Sequence, residues 1–138
     1  MASETGDRQQ ATGNRNLQKG ADIAHRLLAF AVDALHQAAR LPKAVGGRHL
    51  AGQSIRSATG AGANYEEARA AESRADFVHK VGIAAKEMRE ACSWIELAVE
   101  ARMLAPTAVA LLDEGRQLAA ILGASARTAR QRATPPAP

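Results

Sequence analysis

Aromatic residues make up only 3% of this 138-residue chain: one Trp, one Tyr and two Phe. Its core must then be built from aliphatic and small side chains packed closely, which favours helices, and the length suits one domain with a single core. A single cysteine, Cys92, excludes an intramolecular disulfide and any cysteine-rich metal site, and suits a reducing compartment. No uninterrupted apolar run reaches the roughly 18 residues a membrane span needs. The N-terminal stretch "MASETGDRQQATGNRNLQKG" lacks the apolar block of a signal peptide, so the expected location is cytoplasmic, with no membrane partner. No stretch alternates apolar and polar residues for long enough to read as a strand.

What is present is charge, 18 basic against 14 acidic residues for a net +4, and its placement matters more than its sum. Residues 125–138 hold Arg127, Arg130 and Arg132 with no acid, and residues 1–20 contribute a net +1. The segment 21–124 is balanced, with 12 basic and 12 acidic residues. The excess therefore lies in two end segments, expected to be disordered tails: a polar one over 1–20 and a basic, Pro-containing one over 125–138. Arg127, Arg130 and Arg132 are the candidate nucleic-acid contacts, because clustered cations bind phosphate backbones without sequence preference.

Four segments of 21–124 have helical periodicity. The first starts near Asp22, places Leu27, Leu28, Ala31, Leu35 and Ala38 on one face, and stops before Pro42. The second runs from about Arg48 to Glu72 with a stripe of mostly small residues. "SRAD" (73–76) then makes a turn, Ser73 capping the next helix with Asp76 three residues on. That third helix is expected from Arg74 to about Leu104, roughly 46 Å at 1.5 Å per residue. Its apolar face is wider than one partner helix requires, which predicts burial against the bundle and a second subunit. Phe77 and Trp94 are the candidate interface residues. Pro106 opens the fourth helix, which fades after Gly123. Short connections make successive helices antiparallel, so the predicted fold is an all-α, up-down-up-down four-helix bundle.

The stretch "SATGAGANYEEARAAESRADF" (57–77) pairs Gly60 with Gly62, as a phosphate loop does. A phosphate loop needs a strand before it and a helix N-terminus after it, whereas here helical pattern runs into the glycines. Folding about Ser73 instead sets Glu66 and Glu67 near His79 and Lys80, and Arg56 near Glu90. The glycines then serve close approach of the two helices, offsetting their helix-breaking cost. Other hints of chemistry are thin. Asp22 with His25, Asp33 with His36 and Asp76 with His79 have the spacing of metal-binding helix pairs, but the further inward carboxylates of a di-metal bundle are missing. Glu66 and Glu67 point about 100° apart on a helix and do not form an acid–base pair. Cys92 falls on the apolar face as an inert core thiol. No catalytic residue, cofactor or metal is expected, and the chain reads as a non-enzyme.

The strings "LPK", "GRHLAGQSIRSATGAGANYEEARAAESRADFVHK" and "IAAKEMREACSWIELA" closely resemble the four helix bundle proteins encoded within 23S ribosomal RNA intervening sequences, the S23-like family. The resemblance spans about residues 22–123. Gly60, Gly62, Asn64, Tyr65, Glu67, Ser73, Arg74, Asp76, His79 and Lys80 form the helix-pair signature; Lys86, Glu87, Arg89 and Glu90 match a second block. The family's relatives include the accessory variability determinant proteins of diversity-generating retroelements. The resemblance implies an up-down-up-down bundle, a homopentameric ring and no established catalysis, and for the retroelement relatives binding to RNA and a reverse transcriptase. The expected function is thus an oligomeric, non-enzymatic scaffold that binds RNA or a nucleic-acid enzyme through basic residues. The alternative is a purely structural or protein-interaction oligomer.

Overall fold

Ile23, Leu27, Phe30, Ala34, Ala38 and Leu41 recur every three or four positions and are all buried, and the first helix, α1 (Ala2–Ala39), turns this face inward. The computed structural model describes residues 2–133. After α1 come α2 (Val45–Arg69), α3 (Arg74–Glu100), a 3-10 turn at Pro106–Ala108 and α4 (Val109–Ala133), with no strand among the described residues. The result is a four-helix bundle.

The turns explain the order of the helices. Between α1 and α2 the chain reverses around Pro42, where Gly47 packs so closely that a Cβ would stand 1.9 Å from the Pro42 carbonyl oxygen. Between α2 and α3, Ser73 caps as expected: its Oγ accepts the Asp76 backbone N–H at 3.0 Å. The end of α3 comes earlier than the predicted Leu104. Arg102 takes a left-handed φ of 58°, and the Met103 N–H reaches back to the Ala98 carbonyl at 2.9 Å while that of Arg102 reaches Val99. This is a Schellman stop built without glycine, which is why no glycine signalled it.

Ion pairs record the antiparallel course of α2 and α3. Arg56, near the middle of α2, meets Glu90 at 2.9 Å and Glu87 at 3.3 Å, just past and at the middle of α3. Glu67, near the end of α2, meets Lys80 at 2.6 Å, early in α3. Between the helices lie Ser54, Ser57, Ala58, Ala61 and Ala68 of α2 and Ala84, Ala85, Met88 and Ala91 of α3, all buried. Of all the helix pairs, α2 and α3 are the most extensively packed. Across the bundle, Arg26 of α1 donates to Glu114 and to Gln117 of α4.

Four further expectations change. Residues 2–20, predicted as a disordered tail, extend α1; their side chains from Glu4 to Lys19 are exposed, so the segment is helical by propagation from the packed part, not by burial. Residues 125–133, also predicted as tail, continue α4, anchored by buried Ala126; residues 134–138 lie outside the described residues. Leu28 and Leu35, expected in the core, are 62% and 44% exposed. Both faces of α1 satisfy a helical period, and the face carrying Phe30, the largest fully buried side chain, takes the core because it removes more apolar area from water.

The fourth change concerns the paired glycines. Helix α2 runs without interruption through Gly60 and Gly62, which removes the phosphate-loop reading. Yet close approach is not their role either. A Cβ on Gly60 would touch Glu87 at an ordinary 3.5 Å, and one on Gly62 would meet nothing within 4 Å. The buried face of α2 at this level is made by Ser57, Ala58 and Ala61 instead.

Candidate functional site

The signature residues assemble a helix pair, and most of their partners are local. Asn64 Nδ2 donates to the Gly60 carbonyl at 2.9 Å. Tyr65 is buried, with its hydroxyl near Gly20 of α1, and burial pushes its pKa up. The hydrogen bond from Lys80 to Glu67 raises the lysine's pKa, while Glu66 turns to Arg69 at 3.2 Å. Arg74 and His79 are exposed, and Asp76 is half-buried beside its cap. The two glutamates thus point to different partners, as their adjacent positions require. Among the described residues no group of three or more His, Cys, Asp or Glu could hold a metal ion. Cys92 is buried, and burial raises its pKa, which keeps the thiol protonated and unreactive.

Phe77 and Trp94 are both half-buried and packed against the core. Trp94 stands edge-on to His49, with ring centroids 5.7 Å apart. Its indole Nε1 is buried without a hydrogen-bond acceptor among the described residues, which costs stability.

Two surfaces remain unaccounted for by the packing of one chain. The first is the outer face of α1. Leu17, Ala21, Ala24, Leu28, Ala31, Leu35 and Ala38 follow each other at alternating steps of four and three, the spacing of a helix–helix seam. Ala38 reaches the core, but Leu17, Leu28 and Leu35 are 71%, 62% and 44% exposed. Ala24 also packs against the core, so what stays uncovered on this face is the three leucines. The second is the side of α3 and α4, where Arg89, Arg116 and Arg127 line one groove; Arg130 and Arg132 follow in the last turn of α4. The sequence placed the basic cluster at a disordered end. The structure puts Arg127 on the bundle itself, a placement hidden from the sequence because helix α4 shows no obvious stop or continuation at Gly123.

Residues 20–124 match the family model described as 23S rRNA-intervening sequence protein. The chain belongs to this family. The match covers the bundle and ends close to where the basic turns of α4 begin. A crystal structure of a protein of unknown function from the S23 ribosomal protein family of Bacteroides thetaiotaomicron is similar, with a TM-score of 0.72 and 28% identity over 79% of this chain and 98% of that one. No curated protein matches this sequence. The intervening-sequence protein has no helix long and apolar enough to cross a membrane among the described residues.

Proposed function

We propose that this intervening-sequence family protein is a non-enzymatic scaffold, in which copies of the chain associate through α1 into a ring, five to a ring, and present basic residues to RNA. The observation that carries the reading is the second apolar seam of α1. Three exposed leucines on one side of α1, Leu17, Leu28 and Leu35, favour another helix laid along them. Another copy of the same chain is the simplest occupant, because soluble assemblies are predominantly symmetric homo-oligomers.

The RNA part is supported by the arginines at the end of α4. Repeating the chain around a ring repeats Arg127, Arg130 and Arg132 in every subunit, and multivalent contact multiplies weak phosphate binding. Because Ala126 is buried, truncation would damage α4, so the test is substitution. The triple variant Arg127→Gln, Arg130→Gln, Arg132→Gln should bind a labelled single-stranded RNA far more weakly than the unmodified protein, with a flatter dependence on salt. Equal binding by both would contradict the assignment of these arginines. If the unmodified protein binds no RNA even at low salt, the molecule is a purely structural or protein-interaction oligomer.

A further inference from the structure

Lys86, Arg89, Ser93, Trp94 and Leu97 follow one face of α3 and line a shallow depression with Glu90. Arg89 and Ser93 also line the groove of about 450 Å³ between α3 and α4, which Arg116, Gly123 and Arg127 close from the other side. The two depressions therefore form one track. Along α3 it extends from Lys86 to Leu97, about 16 Å at 1.5 Å per residue.

The track is cationic although the bundle as a whole is neutral. Of its two carboxylates, Glu96 is held by Arg116 at 3.2 Å and Glu90 by Arg56 at 2.9 Å. Among the described residues, Lys86, Arg89 and Arg127 form no salt bridge. The two acids of the track are thus each matched to a cation, while Lys86, Arg89 and Arg127 line it without such a partner. Gly123 adds an independent sign. Glycine inside α4 weakens the helix, yet a Cβ there would stand 3.3 Å from Arg127 Nη1. Its absence makes room for the guanidinium to lie back along the helix toward the groove.

We infer that the groove between α3 and α4 binds the phosphate backbone of single-stranded RNA, with Arg89 and Arg127 contacting phosphates and Lys86 continuing the path beside Trp94. This rests on the RNA reading above and gives it a place on the folded body. Arginine suits the task because its planar fork matches two phosphate oxygens at once. A cleft between two adjacent helices admits one extended strand, whereas a duplex needs a broad open surface. The Ser93 hydroxyl already donates to the Arg89 carbonyl at 3.1 Å, so the cations carry the contact.

The experiment is fluorescence anisotropy of a labelled oligouridylate with the full-length protein across a salt series, with light scattering to show that each variant keeps the mass of the unmodified protein. The double variant Lys86→Gln, Arg89→Gln should lose affinity at least several-fold, and its log–log salt slope should flatten by about 0.7 for each phosphate contact removed. Gly123→Ala should raise the thermal midpoint while weakening RNA binding, a split that a purely structural glycine would not give. Unchanged affinity and slope in the double variant, with RNA still bound, would overturn the groove and leave the RNA reading standing. No binding by the unmodified protein would overturn both. Full displacement of the RNA by millimolar inorganic phosphate at matched ionic strength would mean that the groove takes a free phosphate, against the inference.

Discussion

Gly62 and Gly115 both lie within helices, but their surroundings differ. A Cβ at Gly115 would stand 2.5 Å from Cys92 Sγ and 2.8 Å from Phe30 Cε2, while one at Gly62 meets open space. Gly62→Ala should therefore stabilise the protein by up to about 1 kcal/mol through helix propensity. Gly115→Ala should destabilise it by about 1–3 kcal/mol through overpacking. Denaturant midpoints of the two variants check both signs. The sequence drew attention to the wrong glycines because two close together look purposeful, whereas the need for a missing Cβ depends on which way a residue faces. The Ser73 cap was legible because capping is local: an acceptor side chain and a backbone N–H three residues on. Tyr65 offers a pH test. Burial raises its pKa above the usual 10.0, so the folded state holds the phenol proton more tightly than the unfolded chain. Stability is full below pH 10 and falls as pH rises through the folded pKa. Tyr65→Phe should flatten this alkaline decline, as read from unfolding free energies measured on either side of pH 10.

Among the elements, the four helices and their antiparallel order were readable from apolar period and turn residues. The register of α2 against α3 was readable too, since charges of opposite sign fell at matching distances from Ser73. The orientation of α1 was not. It carries two apolar seams of the same period, and only packing decides that Phe30 goes inward and Leu28 outward. The double variant Leu28→Glu, Leu35→Glu tests the outer seam as the interface. Both positions are exposed in the single chain, so the helical content of each subunit should persist. Sedimentation should show the assembly broken into smaller species; an unchanged sedimentation coefficient would exclude the outer seam as the interface. The end of α4 escaped sequence reading for a different reason. A mid-helix glycine followed by Ala, Ser and Arg resembles a fading terminus, yet helix propagation and the buried Ala126 carry the segment to Ala133.

For the whole molecule, net charge was a poor guide to where a ligand would bind. A balanced count over 21–124 conceals local grouping: Glu90 and Glu96 are matched to Arg56 and Arg116, while Lys86 and Arg89 stand beside them, with Arg127 from beyond that segment, along the side of α3 and α4. Such exposed pairs add little stability individually, but they decide which cations remain available. The family was legible from the signature strings, since the residues that make the hairpin between α2 and α3 also make it recognisable. The central claim is assembly through the outer face of α1. Multi-angle light scattering of the full-length protein at micromolar concentration tests it most directly. The account predicts a particle of five times the 14.5 kDa chain mass; a stable particle of one chain mass would contradict it.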